Sequence, residues 1–486
     1  MKTIVYPHNW LTSIAFVTLV VLFSSMALAQ NVIDAPSEYV ESAESVEPAD
    51  SPSDSKFYVS QNDWDAVNER LKALESQLKE EKDKAAKKKE ADSQKPSLKV
   101  TGRLQYEADY FSQNEDSIQR AGNMRNGTEL RRAWIGVAGS YKQFEYKADF
   151  DLAPSALAFK DVYMEIKELP ILYDLRVGYF KEPSGCEQLV GVHQMWFNDR
   201  PLSMSGISSY MQNRALGVMA SNGSQKANHL WAIGFFQNVS DSIHKHYDDE
   251  YSSSDVRSAE GVTARYVYRL MDCPDCGRIL HFGGSLTYKS LNPNESLNWR
   301  TKPEGDLGNH CIGTDAFAGT TDVLMVSPEL IFTNQSFALM AEYNYIKLKN
   351  RDLGDFAFHG GYVALSYLLT GEHFNYSKQR GILTYIKPNE DFVRRCENGF
   401  FKTGLGAWQL CYRFSWIDYR QMPLVAAPEQ SKVGICYDHT IGLNWQMTQT
   451  FRVVFDYVFS NNQYKYGELN KSGNVNVFTM SVQMYF

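Results

Sequence analysis

The stretch Val475-Asn476-Val477-Phe478-Thr479-Met480-Ser481-Val482-Gln483-Met484-Tyr485-Phe486 ends the chain and decides its fold. Phe478, Met480, Val482, Met484 and Phe486 fall on one face of an extended segment, with mostly polar side chains on the other. Successive strand residues point to opposite sides, so a two-residue period of this kind belongs to a strand between lipid and a wet lumen. The same alternation recurs from about residue 98 onward. The expected fold class is all-β, a sixteen-stranded antiparallel transmembrane β-barrel carrying an N-terminal extension that is disordered and then briefly helical.

The N-terminus sets the compartment. Lys2 precedes an apolar run from Ile14 to Phe23, which closes on Ala27-Leu28-Ala29, a small-x-small cleavage pattern before Gln30. Residues 1–29 therefore read as a signal peptide. The run is short for a membrane helix, and no later segment supplies about 18 to 20 continuous apolar residues.

Composition fits strands that are apolar on one side only: 43% of residues are hydrophobic and 13% aromatic, with negative mean hydropathy. A secreted soluble sandwich or propeller would alternate too, but it needs an apolar interior. Here several strands carry charges opposite their aromatics, which fits a watery lumen better. A formal net charge of -8 argues against nucleic acid as a partner, and much of it lies in the lead segment and loops.

Residues 30–62 are rich in Glu, Asp, Ser and Pro and poor in large apolar groups, so they cannot bury enough surface to offset the entropy of ordering. Trp64, Val67, Leu71, Leu74 and Leu78 then recur at spacings of three and four before Lys87-Lys88-Lys89. Residues 63–92 are expected to form a short helix, either amphipathic or a short coiled coil that associates subunits or tethers the barrel to the cell wall.

Sixteen candidate strands follow, near 98–111, 128–139, 142–152, 158–167, 173–181, 213–220, 229–238, 259–269, 279–290, 321–333, 336–349, 357–369, 403–418, 435–447, 449–461 and 476–486. An even number puts both barrel ends on one side. Short turns such as Ser140 to Gln143 and Thr333 to Ser336 alternate with mostly longer loops, and short turns are periplasmic in this class. Thr370 to Lys402 breaks that rule, being long where a short turn is due. The connection from Glu182 to Gln212 is the candidate constriction loop.

Strand parity assigns charges to the lumen. In the first strand Lys99, Arg103, Gln105, Glu107 and Asp109 oppose an apolar face of Leu98, Val100, Leu104, Tyr106, Ala108 and Tyr110. In the third, Glu145, Lys147, Asp149 and Asp151 face in, and in the fifth Arg176 does. Arg131 and Arg132 are neighbours, and regular pleating places them on opposite faces. Guanidinium suits anion passage because it stays charged and offers a planar fork of donors; the competing role for each arginine is a lumenal salt bridge.

Several phrases carry a resemblance: Gly102-Arg103-Leu104-Gln105, Leu130-Arg131-Arg132-Ala133-Trp134, Val177-Gly178-Tyr179-Phe180-Lys181-Glu182-Pro183, Leu369-Thr370-Gly371-Glu372, Gly404-Leu405-Gly406-Ala407-Trp408-Gln409-Leu410 with Arg413-Phe414-Ser415, and Leu443-Asn444-Trp445. In order and spacing they resemble the phosphate-selective porin O/P family across most of residues 98–486. The resemblance implies a trimer of sixteen-stranded barrels, each with an inward loop and an arginine-lined path for anions. By position, Arg103, Arg131 and Arg132 match basic wall residues of the family. Arg200, in Asn198-Asp199-Arg200, matches an arginine of the constricting loop. Gln188 stands where phosphate-selective members have lysine, and Gly191 and Val192 replace hydroxyl side chains nearby, which removes donors from a dehydrated phosphate site.

The expected function is passive diffusion of small anions, phosphate or polyphosphate among the candidates, through an outer-membrane pore without cofactor or metal. The alternative is a general solute porin whose N-terminal helix has a structural role at the cell wall. No nucleophile elbow, zinc-protease helix or phosphate-cradling glycine loop stands in a suitable setting for an enzyme. Of seven cysteines, Cys273 and Cys276 read as a local disulfide or a simple turn rather than a metal site; Cys186 and Cys311, in expected loops, could pair in an oxidising compartment, and the sequence leaves the connectivity open. His244, Lys245 and His246 read as a solvated loop.

Overall fold

A computed structural model describes residues 69–73, 75–77, 79–81, 95–153, 157–207, 211, 214–238, 259–396, 399–425, 427, 430–465 and 472–486. The signal peptide, the acidic segment, Trp64, Val67, Leu74, Leu78, the lysine run and His244 to His246 lie outside them. The chain divides into two units, residues 1–83 and 84–486. In the first, the described residues from Glu69 to Glu81 are helical, with Leu71 exposed.

The second unit is a closed antiparallel barrel of sixteen strands. Its wall runs β1 (Lys99–Gln113), β2 (Gly127–Tyr141), β3 (Phe144–Asp151), β4 (Ala158–Leu169), β5 (Tyr173–Lys181), β6 (Arg214–Ser221), β7 (His229–Asn238), β8 (Ala259–Cys273) and β9 (Arg278–Ser290). The ribbon strands β10 (Arg300–Thr301) and β11 (Ile312–Gly313) interrupt the wall, which resumes with β12 (Thr320–Asn334), β13 (Phe337–Asn350) and β14 (Phe356–Leu368). Two further ribbons, β15 (Tyr376–Ser377) with β16 (Ile382–Leu383) and β17 (Val393–Arg395) with β18 (Phe401–Thr403), precede the last wall strands. These are β19 (Ala407–Asp418), β20 (Gly434–Gln446), β21 (Phe451–Tyr464) and β22 (Ser472–Tyr485).

Alternation follows the parity read from sequence. Leu104 and Tyr106 are exposed on the outer face, whereas Arg103, Gln105, Glu107 and Asp109 are buried inside. The seam closes between β1 and β22, with Arg103 opposite Tyr485. There the Gly102 N–H donates to the Phe486 carbonyl at 3.0 Å and the Phe486 N–H to the Gly102 carbonyl at 3.1 Å. The Phe486 ring fills the space a side chain at position 102 would take. At the short-turn end, Trp408 and Trp445 stack at 5.0 Å and both indole N–H groups donate to the Leu405 carbonyl. Such a pair suits a membrane interface, apolar on its body and polar at its tip.

Two sequence expectations change here. Arg131 and Arg132 do not lie on opposite faces. Gln105 pairs with Arg132 and Tyr106 with Leu130, so β2 carries one extra residue at a bulge. Both guanidinium groups consequently reach lumen-facing partners, Arg131 to Glu107 and Arg132 to Gln105. Cys186 and Cys311 are not joined; each is a buried free thiol, in separate hydrophobic clusters. Cys273 and Cys276 are disulfide-bonded across the β8–β9 turn.

The lumen is filled from both ends. The loop after β5 folds inward, burying Val190, Met195, Trp196, Phe197, Leu202 and Met204. The loop after β9 enters beside it, with Trp299 and Ile312 fully buried. The long connection after β14, for which the alternation of short and long loops offers no place, also turns in. Phe374, Ile382 and Leu383 are buried, and Phe374 packs 5.6 Å from Trp196 of the β5–β6 loop.

Candidate pore constriction

Wall side chains hold the β5–β6 loop by its backbone. Arg452 donates to the carbonyls of Met195 (2.8 Å) and Val192 (3.1 Å), Arg413 to that of Asp199 (2.9 Å), and Asn444 to that of Trp196 (2.7 Å). In return the Asn198 N–H donates to Asp456 at 2.6 Å. Each contact satisfies a buried loop group that would otherwise be left unpaired. Lys289, buried against Glu182, fixes the loop where it leaves β5.

The predicted site residues then divide by what they touch. Arg131 is consumed by carboxylates: Glu107 at 2.7 Å, Asp199, and Asp306 at 3.3 Å. Burial works against ionisation of Asp306, but Arg131 and Lys302 outweigh it and hold its carboxyl well below the usual range. Arg176 pairs with Glu165 at 2.8 Å and lies over the Tyr163 ring at 4.1 Å. Arg200 donates to the backbone carbonyls of Glu187 and Val190, with the Glu187 carboxylate 3.7 Å away, so it braces the loop from within. Asn198 and Asp199 are likewise anchors. Gln188 is buried, and its carbonyl accepts from the Lys181 ammonium at 2.7 Å.

Arg103 and Arg132 differ. Arg103 lies 4.6 Å from the centroid of the Trp134 ring and donates to His193, while its Nε and Nη1 have no hydrogen-bond partner. Arg132 donates to the neutral Gln105 side chain at 2.6 Å. Among the described residues, neither has a carboxylate within ion-pair distance, and the same holds for Lys181, Arg380 and Arg452, which bond to backbone carbonyls or amide side chains. Parity could have found Arg452, which alternates with lipid-facing residues of β21. Arg380 arrives on the inward connection after β14 and leaves no local signal.

Two chambers flank the loop. One, of about 560 Å³, carries Lys99, Arg103, Lys147, Arg176, Lys181, Arg214 and Arg380 against two acids, Asp149 and Asp161. The other, of about 240 Å³, sets Arg131, Arg132, Arg200 and Lys302 against Asp199, Glu304 and Asp306. Positive excess is therefore concentrated in the first, whose lining includes Lys99, Thr450 and Phe486 at the short-turn end.

A closed barrel with one apolar-facing outer surface, an ionic interior and an inward loop defines a porin, a channel of the outer membrane. The family model described as phosphate-selective porin O and P matches residues 98–486, and the chain belongs to that family. It is 25% identical to Porin O of Pseudomonas aeruginosa over 391 residues, covering 74% of this chain and 82% of that one. A protein of Caulobacter vibrioides is 22% identical over 342 residues, 69% of this chain and 64% of the other. Among solved structures, an anion-selective porin from Comamonas acidovorans aligns with a TM-score of 0.48 at 11% identity, covering 81% of this chain and 100% of that one.

Proposed function

We propose that this porin passes small anions by passive diffusion, with phosphate or polyphosphate among the candidates, and that Arg103, Arg132 and Lys181 lower the barrier at the constriction. The observation that carries this reading is the seven-to-two excess of basic over acidic side chains in the larger chamber, together with the unpartnered donors of Arg103. A cation attracts a counter-ion most strongly where low-dielectric walls focus its field. Lys181 also bears on selectivity. Its side-chain nitrogen donates to the Gln188 backbone carbonyl, so a basic side chain stands beside that position although residue 188 supplies none. Arg131, Arg176 and Arg200 hold the constriction in shape, and assembly as a homotrimer is part of the same proposal. Chloride current through single channels, titrated with phosphate, tests it. Block that weakens in Arg103→Gln supports an anion site there, and block unchanged by Arg103→Gln together with Lys181→Gln contradicts it.

A further inference from the structure

Away from the chambers, the helical turn Cys186–Leu189 of the β5–β6 loop sits against β12 and β13. Here the Cys186 thiol, Glu329 and Glu342 each offer one ligand atom, and these atoms lie within 4.8 Å of one another, fully buried. Cys186 Sγ is 3.4 Å from Glu342 Oε2. That separation is close to the edge of a tetrahedron around zinc, about 3.5 Å for ordinary Zn–S and Zn–O bonds.

Two further observations point to a cation. Glu329 Oε2 and Glu342 Oε1 are buried and have no hydrogen-bond partner, although both side chains are almost wholly enclosed. Glu329 is balanced by Arg265 at 2.6 Å, but no cation lies within ion-pair distance of Glu342 among the described residues. A buried carboxylate without a counter-charge is strongly unfavourable, so it must take up a cation or a proton. The loop backbone itself packs closely on Glu342 at Gly185, whose φ of 82° suits glycine and whose position leaves no room for a Cβ beside the carboxylate.

The neighbours behave as a supporting layer. His281 Nε2 lies 2.9 Å from Glu329 Oε1 and its Nδ1 lies 2.9 Å from the Tyr376 hydroxyl, contacts that hold the carboxylate in orientation. The Glu187 N–H donates to Glu342 Oε2 at 3.2 Å.

We infer that Cys186, Glu329 and Glu342 form a binding site for a thiophilic divalent cation of the zinc class, which pins the constriction loop to the barrel wall. One thiolate with two carboxylates is a borderline donor set that suits zinc better than calcium or magnesium. Binding releases to solvent the Cys186 thiol proton and the proton that Glu342 otherwise holds, and involves no electron transfer. The inference rests on the barrel and its loop, and is independent of which solute crosses the pore.

The test uses the full chain extracted in detergent from membranes of cells grown with cobalt. Cobalt replaces zinc in such sites and gives a thiolate-to-metal absorption band in the near ultraviolet. The expected result is one ion per chain with that band, and loss of both in Glu342→Gln. Cys186→Ser should lose the band and most of the metal. Wild-type protein that is folded, by its barrel circular dichroism, yet carries no metal would overturn the inference and leave a proton shared by Glu342. Metal retained in both variants would also overturn it. Cation selectivity of the pore would count against the proposed function and leave this site untouched.

Discussion

Arg103 Cζ lies over Trp134, 4.6 Å from its ring centroid, and the guanidinium reaches the inward loop through His193 with donors to spare. A guanidinium held on an aromatic face keeps its charge and its direction. Replacing Arg103 by Gln should reduce chloride-over-potassium permeability several-fold while leaving the barrel folded, as read by reversal potential and circular dichroism. Unchanged selectivity in a folded variant would remove Arg103 from the path.

Arg131 predicts the opposite pattern. Its three carboxylates make it structural, and Arg131→Gln leaves Glu107 buried without its counter-charge, held by Gln105 alone. Breaking a buried pair in this way costs about 3–5 kcal/mol. Urea or thermal unfolding should show that loss, with a smaller change in ion selectivity than Arg103→Gln produces.

Arg452 clamps the loop through two carbonyls. Arg452→Ala removes charge-assisted hydrogen bonds worth on the order of 2–3 kcal/mol. The loop should loosen, giving larger and noisier single-channel conductance. A quiet channel of wild-type size would mean that packing of Trp196 and Phe197 suffices.

Burial, followed by Arg103, Arg452, Arg380 and Lys147, holds the His193 imidazole well below its ordinary 6.5. Its ring also packs 5.0 Å from Tyr485. The unfolded or released loop therefore binds a proton that the folded loop refuses once pH falls below 6.5. The docked loop is most stable above that value and loses stability as pH falls. Conductance noise should rise between pH 6.5 and 5 in the wild type, and His193→Gln should flatten that dependence.

Gly102 faces the Phe486 ring across the seam. Gly102→Val should displace the ring and weaken closure by about 1–3 kcal/mol, the usual cost of overpacking. A lowered unfolding temperature with an intact β signal is the expected readout.

Much of this architecture is legible as a two-residue period, because each wall strand separates lipid from lumen. All sixteen strands stand where alternation places them, though the thirteenth begins at Ala407 rather than 403 and the last at Ser472 rather than 476. The bulge at Arg131 and Arg132 is not legible, since one inserted residue changes pairing without changing composition. Nor is the inward course of the connection after β14. Its contacts with Trp196 and Arg265 span more than a hundred residues, and no local pattern encodes them. The same distance hides Glu329 and Glu342 from Cys186, so a search for metal-ligand spacing passes over all three.

Zero-current potential across a planar bilayer, with one channel species and a potassium chloride gradient, tests the central claim most directly. A potential of the sign set by chloride, reduced in Arg103→Gln, is the predicted result. A potential of the sign set by potassium, unaltered when Arg103 and Arg200 are both replaced by alanine, would contradict the account.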